Sequence, residues 1–130
     1  MTACVIDTSA VLAHLQGESG GDAAFDWLAK GASVSIFNVQ ELASKLAEAG
    51  VSREDTEATI TDLGVDIRPI TVGLAVDAGF MRLQTSKNGL SHGDRTCLAL
   101  ARSLNVPAVT ADRVWLDLAK DLGVEVVLVR

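Results

Sequence analysis

The sequence has little of what several functions require. Only 4% of its 130 residues are aromatic and none is tyrosine. The core must therefore come mainly from Ala, Val, Leu and Ile, which the 48% hydrophobic content can supply. Positive charge is also short, and the net charge is −6. That argues against a broad basic nucleic-acid surface, because non-specific phosphate binding needs clustered cations. It leaves open a phosphate site bridged by a divalent cation, which inverts the local charge. Cysteine is limited to Cys4 and Cys97, both in apolar runs and without a CxxC. This argues against a disulfide framework or zinc site and for buried thiols in a reducing compartment. No apolar run approaches the ~18 residues of a membrane span. No basic residue precedes an apolar core at the N-terminus, so no signal peptide is expected. A cytoplasmic location without membrane contact follows as an expectation. A Walker loop, GxGxxG and GxSxG are all missing, which weakens nucleotide-cradle and serine-hydrolase readings.

What is present is a short apolar strand pattern ending in a carboxylate. Cys4-Val5-Ile6 leads into Asp7, and Thr8 and Ser9 follow. Further strands are predicted at 33–37, 65–69, 106–110 and 124–129, with helices between them. Gly31, Gly50, Gly64 and Gly123 stop helices. Asn38 reads as an N-cap with Glu41 completing a capping box, and Ser52 with Asp55 repeats the device. Thr71 caps a helix running to about residue 86, and Ser91 opens another. Pro69 places its strand at an edge or near its end. Alternating strands and helices predict a mostly parallel sheet covered on both faces. Residues 1–130 read as one α/β domain, with a helical hairpin at about 38–63 standing outside the strict alternation.

Four acids stand out by position: Asp7, Glu41, Asp94 and Asp112. Each has a plain structural explanation. Asp7, Glu41 and Asp94 could cap helices, and Asp112 could favour a helix dipole. Yet Asp7, Glu41 and Asp112 all follow predicted strands, and those junctions share one edge of a parallel sheet. Asp94 starts the helix leading into the strand before Asp112, so it belongs to the same edge. Ligands collect at that edge in open α/β sheets. Crowded carboxylates raise one another's pKa, and a hard divalent cation such as Mg²⁺ removes the conflict. Ser9 and Thr110 could orient a carboxylate or a metal-bound water, or could be ordinary N-caps. His14 and His92 read as surface or packing residues, Trp27 and Trp115 as packing or interface residues. Asp117 reads as solvated, and so do Arg95 and Arg113, although those two flank acids and could reach a phosphate.

Val5-Ile6-Asp7-Thr8-Ser9-Ala10 resembles the opening of PIN-domain nucleases. So do Asn38-Val39-Gln40-Glu41, the stretch from Leu90 to Ala101 containing Gly93-Asp94-Arg95-Thr96-Cys97, and Val109-Thr110-Ala111-Asp112-Arg113-Val114-Trp115. In this order and length they resemble VapC-type toxins of toxin–antitoxin pairs, over essentially the whole chain. The resemblance implies a three-layer α/β/α sandwich on a parallel sheet. It also implies a Mg²⁺- or Mn²⁺-dependent endoribonuclease whose metal-binding acids are Asp7, Glu41, Asp94 and Asp112. It further implies a homodimer, an antitoxin whose C-terminal arm covers the site, and a tRNA or ribosomal RNA substrate. Some PIN domains carry a further acid shortly after the last one; here Arg113, Val114 and Trp115 follow Asp112. Two other readings stay open. One is a non-catalytic binding module with the same fold. The other is a Mg²⁺-dependent receiver or phosphatase, against which stand Ser9 where a second Asp is expected and the want of a Lys after a late strand.

Overall fold

The computed structural model describes residues 2–130. Five strands, β1 (Cys4–Ile6), β2 (Ala32–Ser35), β3 (Asp66–Arg68), β4 (Ala108–Thr110) and β5 (Val126–Leu128), form one sheet in the order β3-β2-β1-β4-β5. Every neighbouring pair is parallel. Hence β1 lies at the centre, and β3, the strand ending just before Pro69, lies at an edge.

Helices cover both faces. On one run α1 (Thr8–Leu15), α2 (Gly21–Gly31), α3 (Ile36–Glu48) and α4 (Arg53–Asp62). On the other run α5 (Val72–Phe80), α7 (His92–Leu104) and α8 (Trp115–Leu122), with the short α6 (Arg82–Thr85) following α5. The split follows from strand alternation, since successive side chains point to opposite faces. Val5 packs with Leu98, Ala101, Trp115 and Leu118. Cys4 and Ile6 pack with Val11, Ala24, Leu42 and Val129. The expected aliphatic core is therefore present as two layers, with Trp115 fully buried in one of them as packing. Burial pushes the Cys4 thiol up to about 11 and Cys97 well above its ordinary range, so both are inert at neutral pH.

Several local expectations are corrected. The second strand stops at Ser35, not at residue 37, and Ser35 rather than Asn38 is the N-cap of α3. Its hydroxyl accepts from the Asn38 backbone N–H at 3.1 Å. The apolar pair Ile36-Phe37 reads as strand by composition, but the cap turns it into the first helical turn. The helix expected to run to residue 86 breaks at Met81. Asp112 does not open the last helix, which starts at Trp115; it heads a tight turn, its Oδ1 accepting from the Val114 N–H at 3.1 Å. The hairpin of α3 and α4 is not separate from the layers, because α3 packs on both α1 and α7. Ser52, Thr71 and Ser91 cap their helices as predicted, the last in a reciprocal capping box with Asp94.

Candidate metal and catalytic site

Strand order reverses direction at β1: β2 and β3 lie to one side, β4 and β5 to the other. The crevice beyond the carboxyl ends of β1 and β4 is therefore the switch point where an α/β sheet opens to a ligand. A cleft of about 180 Å³ sits there, lined by Asp7, Thr8, Ser9, Leu12, Glu41, Lys45, Asp94 and Asp112. All four acids singled out in the sequence reach it.

Each arrives by a different local route. Asp7 follows β1 directly and caps α1, its Oδ1 accepting from the Ala10 N–H at 3.0 Å. Asp94 sits in the first turn of α7, and its Oδ2 accepts from the Ser91 N–H at 2.9 Å. Asp112 is delivered by the turn after β4. Glu41 is not at a helix start, as the predicted capping box required; it lies in the second turn of α3. Side chains on a helix lean towards its N-terminus. The longer glutamate therefore reaches back to an edge that the shorter aspartates meet directly.

Capping and site roles are thus compatible. Asp94 and Asp112 each have one oxygen engaged with a backbone N–H, and among the described residues no hydrogen bond falls on the other. Glu41 follows the same rule with side-chain donors: Thr8 at 3.2 Å and Asn38 Nδ2 at 2.6 Å both donate to Oε1. Asp7 is the most enclosed, at 3% exposure. Ser9 donates to its Oδ1 and Thr110 to its Oδ2, both at 2.8 Å. The same two hydroxyls accept from the Ala111 and Asp112 N–H groups at 3.0 Å. They therefore bind the loop after β4 to the acid after β1.

The electrostatics are unfavourable as they stand. Burial pushes Asp7 up to about 7, against the hydrogen bonds that favour its charged form, and the Asp94 charge pushes it further. Burial also raises Asp94, partly offset by its bonds to Ser91, and Asp112 raises it again. Like charges facing one low-dielectric cleft oppose ionisation until a cation offsets them. Among the described residues, no group of three acidic, histidine or cysteine side chains is already gathered to hold an ion unaided. The donor set nevertheless fits a hard cation that keeps part of its water. The four acids offer oxygens only, each has coordination capacity left, and among the described residues no thiol or imidazole lines the cleft.

The other candidates lie elsewhere. Arg95 is not solvated: it is buried, its Nε donating to the Ser91 carbonyl at 3.4 Å. Arg113 and Asp117 are exposed. His14 packs beside Phe25, ring centroids 5.3 Å apart, and Lys30 lies 4.4 Å over the Trp27 ring. Sequence reasoning missed Thr8 and Lys45 as cleft residues, and it gave Asn38 the wrong role. Lys45 lies one helical turn beyond Glu41, a spacing that puts both on one face of α3 and that could have flagged it.

A PIN domain family model matches residues 4–121, and the chain belongs to the PIN domain family. Solved structures carry the same fold. A toxin–antitoxin complex from Klebsiella pneumoniae superposes with a TM-score of 0.75 at 18% identity, covering 98% of both chains. The sarcin-ricin loop cleaving toxin VapC20 of Mycobacterium tuberculosis gives 0.71 at 18% identity, covering 88% of this chain and 94% of that one. DNA-bound VapBC from Salmonella typhimurium gives 0.72 at 16% identity over the full length of both. A comparison with curated proteins finds no match. No helix among the described residues is long and apolar enough to cross a membrane.

Proposed function

We propose that this protein is a divalent-metal-dependent endoribonuclease, the toxin of a toxin–antitoxin pair, hydrolysing phosphodiester bonds in tRNA or ribosomal RNA in the cytoplasm. The observation that carries this reading is the meeting of Asp7, Glu41, Asp94 and Asp112, from four distant segments, in one cleft. The structural neighbours support the toxin assignment, one being a sarcin-ricin loop cleaving toxin and another a toxin–antitoxin complex.

Glu41, Asp94 and Asp112 would hold Mg²⁺ or Mn²⁺ through the oxygen that their local hydrogen bonds leave available, and Asp7 through the remaining lone pair of Oδ2, which among the described residues accepts from Thr110 alone. Such a cation, when bound, supplies Lewis-acid polarisation of the phosphate and activation of water for attack on phosphorus. The protein supplies placement. Ser9 and Thr110 fix the Asp7 carboxylate, and Thr8 and Asn38 fix Glu41. Lys45 is exposed at the cleft wall and can contact an adjoining RNA phosphate. With a net charge of −6, RNA capture depends on such local positive charge.

We also propose a homodimer and an antitoxin segment that lies over the cleft. The dimer is supported by a stripe of exposed apolar residues on α5 and α6: Val72, Val76, Phe80 and Leu83. Val72, Val76 and Phe80 follow one face of α5 and Leu83 lies on α6 just beyond its end, and exposed apolar patches of this kind mark association surfaces.

Purified protein incubated with tRNA and ribosomal RNA, with Mg²⁺, with Mn²⁺ and with EDTA, tests the reading. Discrete internal cuts that need the cation and vanish with Asp7→Asn are expected. Cation-independent cutting, or equal cutting by Asp7→Asn, would refute it.

A further inference from the structure

Asn38 is 1% exposed, yet both polar atoms of its side-chain amide are hydrogen-bonded. Its Oδ1 accepts from the Ser35 hydroxyl at 2.6 Å. Its Nδ2 donates both to Glu41 Oε1 at 2.6 Å and to the Gly93 carbonyl at 3.3 Å. One amide thus joins the cap of α3, the acid of α3, and the residue preceding Asp94 on α7. Gly93 completes the arrangement from the other side. A methyl group there would collide with the Glu41 carboxylate itself. Glu41 has three side-chain torsions and hangs from the second helical turn, so of the four acids it needs the most restraint. Asn38 and Thr8 both engage Oε1, which leaves Oε2 as the oxygen available to a cation.

We infer that Asn38 is the positioning residue for Glu41, working with Gly93 as a matched pair. Asn38 clamps the two helices that carry Glu41 and Asp94 and directs a single Glu41 oxygen into the cleft. Gly93 keeps open the space that oxygen pair occupies. This rests on the metal-site reading above. It places Asn38 outside the set of groups that touch substrate or cation, so its effect passes entirely through Glu41.

The test is a pair of double-mutant cycles on the full chain, reading Mn²⁺ affinity by calorimetry and metal-free melting temperature. Asn38→Ala and Gly93→Ala are each expected to weaken Mn²⁺ binding by ~10-fold or more, the range for supporting residues. In a Glu41→Ala background neither should weaken it further. Gly93→Ala should push the flexible Glu41 carboxylate off its Asn38 and Thr8 bonds, so the fall in melting temperature should be small and should vanish in the Glu41→Ala background. That second cycle needs no metal, and Gly93→Ala still decides the matter if Asn38→Ala fails to fold. Unchanged Mn²⁺ affinity in both single variants, with the wild type binding, overturns the inference alone. So do losses of equal size with and without Glu41, which would mark a general packing effect. A wild type that binds no Mn²⁺ refutes the metal site and this inference with it.

Discussion

Thr110 donates its hydroxyl hydrogen to Asp7 Oδ2 at 2.8 Å across 103 residues of chain. The Thr110 hydroxyl oxygen in turn accepts the Asp112 N–H at 3.0 Å. One buried hydroxyl therefore sets the distance between two cleft acids. Thr110→Val keeps the shape and removes both bonds. It should cost about 1–3 kcal/mol of stability, the usual penalty for stranding buried polar groups. RNA cleavage should fall by ~10- to 100-fold, and Thr110→Ser should restore most of it. Chemical denaturation and initial cleavage rates check this.

The Asp7 carboxyl, raised to about 7 by burial, gives the metal-free protein a distinctive pH response. Below the ordinary carboxylate range both folded and unfolded chains hold the proton, and no penalty exists. Between that range and about pH 7 the unfolded chain ionises first, so the folded state binds more protons and loses stability as pH rises. The loss is up to roughly 4 kcal/mol. Asp94, raised in the same direction, adds to it. Melting temperature should therefore drop from pH 5 to pH 7.5 without metal. Mn²⁺ should remove much of that drop, and Asp7→Asn should shrink it.

Lys45 is exposed at the cleft and forms no ion pair among the described residues. Lys45→Gln should raise KM for RNA severalfold with a smaller change in kcat. The dependence of log affinity on log salt should lose about one unit of slope. Kinetics at several salt concentrations read both effects.

Phe80 and Leu83 are 67% and 78% exposed. Phe80→Glu should leave the melting temperature of the isolated protomer almost unchanged, since exposed substitutions generally fall within ~0.5 kcal/mol. It should convert a dimer to a monomer in sedimentation equilibrium. A wild type that is already monomeric would remove the dimer proposal.

The sequence made the sheet legible because buried parallel strands leave short apolar runs punctuated by Gly, Asp and Ser. It made three of the caps legible because Ser and Thr N-caps carry their own signal. Ser35 was hidden because Ile36 and Phe37 continue the apolar pattern of the strand beside it. The hidden cap displaced Asn38 from its true place and concealed the clamp on Glu41. The four acids could be gathered at one edge by topology alone. Which oxygen each turns to the cleft could not, since that depends on partners such as Thr8, Ser91 and Thr110, fixed only by tertiary packing. Arg95 shows the opposite failure: a charge beside an acid reads as solvated, whereas the turn of α7 buries it.

The account stands or falls on whether the cleft acids cut RNA in the cell. Sequencing of RNA 5′ ends after induced expression of wild type and Asp94→Asn, at matched protein levels, measures this directly. Wild type should generate new 5′ ends at a small set of tRNA or ribosomal RNA positions, and Asp94→Asn should generate none of them. The same ends from both proteins, or no new ends from either, would contradict it.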